Sequence, residues 1–375
     1  MTPAIERSPN HGTGPIPSLD GIRALAVLLV FLAHSSLDKI VPGGLGVTIF
    51  FVLSGYLIST LMRIEHTRSG RLDIRGFYLR RLLRLMPPLV IVVALAALLS
   101  AVSLIDGEFT PSGLFSALFY LGNYHVIAND FHGMPGGVGV VWSLAIEEHF
   151  YLFYPPLAVL LLRVGRAGLS AALLALLCAL VLGWRCWLVF HGASVEYVSM
   201  ATDTRVDSIL VGCLLALWRN PWLDPVAVPS ERHTGAVASI SIAVLLGTFL
   251  YRDEVFRLTA RYTLQSLAIA ALLYLAIARA DRRPFRWLSA RPLVYLGQVS
   301  YTVYLSHHMI LLGLAWHWPQ LHWAWLMLAG AALTLAVAEP MRRWVDLPCA
   351  RLRQRLHRRA FAPGTVPVTL AVSRP

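Results

Sequence analysis

The chain has 375 residues, of which 57% are apolar and only 14% are charged, and its mean hydropathy is +0.63. Soluble domains carry about 25% charged residues, so a soluble fold is excluded and most of the chain is expected to lie in a lipid bilayer. A net charge of +12 does not point to nucleic acid, because the 32 cations fall between apolar runs rather than along one polar stripe.

The first 21 residues are polar and contain no charged n-region followed by an apolar stretch and cleavage site, so a removable signal peptide is not expected. Apolar runs of about 17 to 25 residues mark membrane spans. They fall near 22–40, 45–62, 86–105, 141–162, 168–190, 204–218, 235–251, 262–279, 294–314 and 322–340, which predicts ten. Residues 114–127 are also apolar but too short to cross, and are expected to form a re-entrant or interfacial piece. With that segment not crossing and the N-terminus cytoplasmic, 25 of the 32 cations fall inside and four outside, as the positive-inside rule requires. The fold class is therefore an all-α polytopic membrane protein with both termini cytoplasmic. Residues 1–17 form a polar tail, 18–342 one membrane domain, and 343–375 a basic tail on the membrane surface or disordered. Tryptophans near the predicted span ends, such as Trp184, Trp187, Trp316 and Trp323, read as interfacial anchors. Cys178, Cys186, Cys213 and Cys349 lack metal-type spacing and read as small apolar packers.

Ionisable groups inside spans are costly, so each is a functional candidate. In the first span, Arg23 and His34 are eleven residues apart, about three turns plus 20°, which puts both on one helix face with His34 about 16 Å deeper. A structural, hydrogen-bonded histidine is the plainer reading of His34 taken alone. Ahead of the third span, Arg80, Arg81 and Arg84 form a cluster whose guanidinium forks suit phosphate; topogenic charge with lipid headgroup contact is the alternative. Glu147 and Glu148 open the 141–162 span from the outer side, and one of them could orient His34 as a general base. Asp203, Arg205 and Asp207 sit at the mouth of a later span, where an Arg205–Asp207 pair either holds helices together or binds substrate. Tyr301, Tyr304 and His307 lie in another span, as packing or as the lining of a sugar cavity. Ser54 lacks a GxSxG elbow and reads as small-residue helix packing. No HExxH or HxxxH spacing supports a metal.

Six segments in this order resemble the membrane-bound acyltransferase 3 family over residues 18–342: LDGIRALAVLLVFLAH, GGLGVTIFFVLSGYLI, FYLRRLLRLMPP, WSLAIEEHFYLFYP, RVDSILVGCLLA and LGQVSYTVYLSHH. The resemblance implies ten core helices and an O-acyltransferase of a bacterial cytoplasmic membrane. It would move an acyl group, by default acetyl, from cytosolic acyl-CoA to a hydroxyl of a sugar in a surface polysaccharide, glycolipid or similar acceptor. It implies that Arg23 and His34 are the catalytic pair, that Arg81 and Arg84 contact coenzyme A phosphates, and that Glu147 or Glu148 is an essential acid; Tyr301 and His307 match the late motif without an assigned role. Thr48 and His149 depart from the family pattern, so an acidic group of the second span is missing here. The 34 residues after Met341 leave no room for the hydrolase-like domain of some relatives, so a lone membrane domain, or one aided by separate polysaccharide-assembly proteins, is expected. The expected partners are membrane lipids and the carbohydrate, with acyl-CoA as cosubstrate and neither metal nor nucleic acid. A transporter or flippase of a lipid-linked or small-molecule substrate is the rival reading, since buried His, Glu and Arg also serve carriers.

Overall fold

A computed structural model describes residues 16–225 and 229–360. Among these the chain is helical, with one isolated bridge between Phe109 and Gly133 and no strand. The helices in order are α1 (Pro17–Leu32), α2 (Gly43–Ser69), α3 (Ile74–Ala101), α4 (Pro111–Leu118), α5 (Gly122–Asn129), α6 (Trp142–Val164), α7 (Ala167–Phe190), α8 (Val195–Met200), α9 (Thr202–Trp218), α10 (Glu231–Leu250), α11 (Glu254–Leu258), α12 (Ala260–Ala278), α13 (Arg291–His317), α14 (Trp323–Met341) and α15 (Leu347–Ala360).

Seven helical stretches among the described residues are long and apolar enough to cross a membrane, built on α1, α2, α3, α7, α10, α12 and α14. The predicted spans carried by α6, α9 and α13 fall outside that set. α9 has only 17 residues, and α6 and α13 carry the Glu147–Glu148–His149 and His307–His308 polar groups. Each of those three helices has a buried face, where a polar residue meets protein rather than lipid. The outside is apolar: Phe153, Phe190 and Leu250 are each more than 70% exposed. In water so many bare apolar side chains would drive aggregation, and against acyl chains they cost nothing.

Glycines set the closest approaches. A Cβ on Gly55 of α2 would lie 1.9 Å from the Ile209 carbonyl oxygen of α9, and one on Gly212 of α9 would lie 2.1 Å from that of Val52. These contacts lock α2 and α9 in parallel at backbone distance. Gly297 does the same for α13, whose backbone rests on Asp20 O of α1, so α1 and α13 also run parallel. The small-residue packing expected around Ser54 is thus seen at its neighbour Gly55.

The first helix ends earlier than its apolar run. α1 passes at Ala33–Leu37 into a wide π-type turn, in which Ser35 (φ −94°, ψ 38°) and Ser36 (φ 72°, ψ 16°) leave helical geometry. His34 therefore sits at the far end of α1, exposed, and not midway along a continuous span. Residues 114–127 form parts of two eight-residue helices, α4 and α5, each about 12 Å long and too short to cross. The chain leaving them reaches the middle of α13 before α6 begins, where Tyr304, thirteen residues or about 20 Å into α13, donates to Val140 O at 2.9 Å. Consequently Glu147 and Glu148, just inside α6, lie deep in the bundle and not at its outer mouth.

Prolines inside α3 and α6 leave carbonyls without helical partners. Pro156 cannot donate to Leu152 O, and the Tyr78 hydroxyl takes that place at 2.7 Å, tying α3 to α6. After α14, the basic segment folds as α15 and packs along α3. The N-terminal tail up to residue 15 and residues 361–375 lie outside the described residues.

Candidate active site

A cavity of about 130 Å³ opens between α1, α2, α3, α6 and α13. It gathers Arg23, Arg81, Arg84, Glu147, Glu148, Tyr301 and Tyr304, seven of the candidates singled out in the sequence, together with Ser54, Tyr120, Ser143 and Tyr151. Each helix contributes one polar face, and no single stretch of sequence contains the site.

The charges are unequally occupied. Arg23 donates to Asp20 at 2.9 Å, one turn back on α1. Arg81 donates through Nε to Glu148 at 3.1 Å, and its guanidinium carbon sits 3.1 Å from the Tyr151 ring centroid. Glu147 accepts from Ser54 Oγ at 2.6 Å and from Tyr151 OH at 3.0 Å. Arg84 is exposed to the cavity and makes no hydrogen bond or ion pair to any described residue. Arg23, Arg81 and Arg353 are like charges acting on it, and the Glu148 and Asp346 carboxylates lie within its electrostatic reach without bonding to it. Such a group is open to an anionic ligand with bidentate oxygens. Tyr301 OH donates to Leu85 O at 2.8 Å and so pins α13 to α3 beside Arg84.

His34 is not in the cavity. Its ring packs against two histidines of α13, with centroids 5.0 Å from His307 and 4.6 Å from His308. Tyr304 connects the two regions: it lines the cavity, bonds Ser143 at 2.6 Å, and lies 5.8 Å from the His307 ring. The expectation that Glu147 or Glu148 orients His34 is not met in this arrangement. Both carboxylates have partners within the cavity, and His307 is the side chain at His34.

Other expectations are redistributed. Arg80 turns away from the cavity and bridges Glu65 at 3.3 Å and Asp73 at 3.4 Å. Asp207 does not pair with Arg205. Its partner is Arg185 of α7, which donates to both carboxylate oxygens at 3.1 Å and also reaches Thr204 O, Thr259 O and Thr263 Oγ1; Arg185 and Asp207 are both fully buried. Arg205 instead donates to Ser199 O at 2.8 Å and Thr48 Oγ1 at 3.2 Å and lies over Tyr262. Both are structural neighbours of α9 rather than lining of the cavity. Thr48, where the family pattern is acidic, thus meets a buried guanidinium with a hydroxyl.

From the sequence Ser54 reads as helix packing, and Tyr151, Asp20 and His308 carry no expected role. Tyr151 stands four residues after Glu147, the spacing that joins side chains on one helix face, and Asp20 stands three before Arg23; those signals were present. Ser54 reaches Glu147 across 93 residues, and no local pattern marks that contact. Among the described residues no group of three His, Cys, Asp or Glu side chains is placed to hold a metal ion.

No solved structure is similar to the chain. Among curated proteins it is 34% identical to YrhL of Bacillus subtilis over 311 residues, 79% of this chain and 48% of that protein. It is 30% identical to the peptidoglycan O-acetyltransferase OatA of Listeria monocytogenes, with 92% of this chain and 57% of that protein covered. It is 29% identical to the O-acetyltransferase OatA of Staphylococcus aureus, with 89% and 57% covered. The chain thus spans about half the length of the curated relatives it matches. The model of the acyltransferase domain, the acyltransferase 3 family, matches residues 16–339, and the chain belongs to that family.

Proposed function

We propose that the chain is an O-acetyltransferase of a bacterial cytoplasmic membrane, with ten crossing helices, a re-entrant α4–α5 segment and both termini cytosolic. It moves an acetyl group from cytosolic acetyl-CoA to a hydroxyl of a cell-surface glycan. The observation that carries this reading is an Arg84 bonded to no described residue, in a cavity near the Arg23 end of α1, with an exposed His34 at the opposite end. Coenzyme A phosphates engage Arg84, and the thioester points through the cavity toward Tyr304 and the histidines. His34 takes the proton from the acceptor hydroxyl as its oxygen bonds to the thioester carbonyl carbon. The carbon–sulfur bond breaks, and the proton passes from the imidazolium to the departing thiolate. General-base catalysis of this kind contributes about 10²- to 10⁴-fold. The glycan class is taken from the Listeria relative, a peptidoglycan O-acetyltransferase.

The test uses sealed inside-out vesicles with acetyl-labelled acetyl-CoA outside and an N-acetylglucosamine oligomer inside. Alkali-labile label on the oligosaccharide, with release of free thiol outside, is the expected result. His34→Ala should lower it by about 10²-fold or more at unchanged insertion. Labelled solute that crosses without esterification overturns the reading in favour of a carrier, and near-normal transfer by His34→Ala removes His34 from the chemistry.

A further inference from the structure

We infer that His307, acting together with the Val30 carbonyl, is the positioning residue that fixes the tautomer of His34, holding the proton on Nδ1 and leaving Nε2 as its basic nitrogen. This rests on the reading of His34 as the general base. Nδ1 of His307 lies 2.7 Å from Tyr304 O and 3.1 Å from Val303 O. Carbonyl oxygens only accept, so this nitrogen carries hydrogen. Nδ1 of His34 lies 2.9 Å from Val30 O, and by the same argument it also carries hydrogen. The remaining contact, His307 Nε2 to His34 Nδ1 at 3.3 Å, then admits one assignment. Two N–H groups cannot face each other there, so His307 Nε2 is bare and accepts from His34 Nδ1–H, which is shared between Val30 O and His307. Bare lone pairs on both nitrogens would instead leave His34 Nδ1 repelled by the Val30 carbonyl at hydrogen-bond distance.

The surroundings keep this arrangement. His307 is fully buried, walled by Phe31 at 6.3 Å and Tyr304 at 5.8 Å between ring centroids, so its ring has little room to turn. His34, in contrast, sits at the start of the π-type turn, where the helix ladder alone holds it loosely. His308 packs on the His34 ring at 4.6 Å without a hydrogen bond to it. No described carboxylate touches either ring, so a neutral imidazole of α13 does here the orienting that a carboxylate does in hydrolytic triads.

The readout is the ¹⁵N spectrum of histidine-labelled protein in lipid bilayers, with the His34 signals identified by their loss in His34→Gln. Wild type should show His34 protonated at Nδ1. His307→Leu should convert it to a mixture of tautomers and lower kcat by about 10- to 100-fold, the usual effect of losing a group that orients a histidine, with KM for acetyl-CoA unchanged. His307→Gln, whose amide oxygen can accept in place of Nε2, should restore both the tautomer and most of kcat. A His34 tautomer that is Nε2-protonated in wild type, or that does not respond to His307→Leu, overturns the inference. A normal tautomer response together with an active His34→Ala variant would instead sink the general-base reading and leave the tautomer assignment standing.

Discussion

Arg81 and Arg84, one helical turn apart on α3, are held differently: Arg81 is bonded to Glu148 at 3.1 Å and stacks on Tyr151, and Arg84 is bonded to no described residue. In the sequence they are an equivalent pair. Arg84→Ala should raise KM for acetyl-CoA at least tenfold with kcat and thermal stability near wild type, since only ligand contact is removed. Arg81→Ala strands Glu148, so it should lower the unfolding temperature in detergent and the yield of folded protein as well as turnover. Equal kinetic profiles for the two variants would show that the distinction is false.

Ser54 lines the cavity and donates to Glu147, which Tyr151 also holds. Ser54→Ala should therefore cost about tenfold in activity, the scale of one lost hydrogen bond to a carboxylate. Tyr151 still donates to the same oxygen. Complete loss of transfer with intact folding, or an acetylated Ser54 trapped by rapid quenching and mass spectrometry, would make the serine a nucleophile.

The Arg185–Asp207 fork is isolated from water and is not part of the cavity lining. Arg185→Ala should destabilise the protein by about 3–5 kcal/mol through an uncompensated carboxylate, while the double replacement Arg185→Met with Asp207→Leu should recover most of that loss. Denaturation in mixed micelles measures the difference. A double variant that is stable but has lost acceptor affinity would return Asp207 to substrate binding.

Gly55→Ala places a methyl group 1.9 Å from Ile209 O, where backbone stands on the other side. α2 and α9 must separate, costing about 1–3 kcal/mol or more, and Ser54 on α2 should shift from Glu147 as they do. Gly44→Ala, with open space around its Cβ, should be silent in both stability and transfer.

Much of the architecture was legible because it depends on local composition. A helix occupies each predicted apolar run, and residues 114–127, too short to cross, fall in two short helices. The end of α1 was not legible, since AHSSL continues the apolar reading while Ser35 and Ser36 unwind it. The seven cavity residues picked from sequence were recognisable as ionisable or aromatic groups where lipid would penalise them. Their partners were not, as Asp207 shows: Arg205 is two residues away in sequence and Arg185 twenty-two, and the nearer one points to another face of α9.

By itself the sequence determined that this is a helical membrane protein, where its helices lie, and which side chains are too polar to be there without a purpose. Hydropathy and helical period are sums over neighbouring residues, so they survive without knowledge of the fold. Only the tertiary structure decided who meets whom: Glu148 with Arg81, Arg185 with Asp207, and His307 with His34. Those meetings depend on the rotation of each helix about its axis and on its height in the bundle. Both are set by backbone contacts at glycines such as Gly55, Gly212 and Gly297, which join residues far apart in the chain.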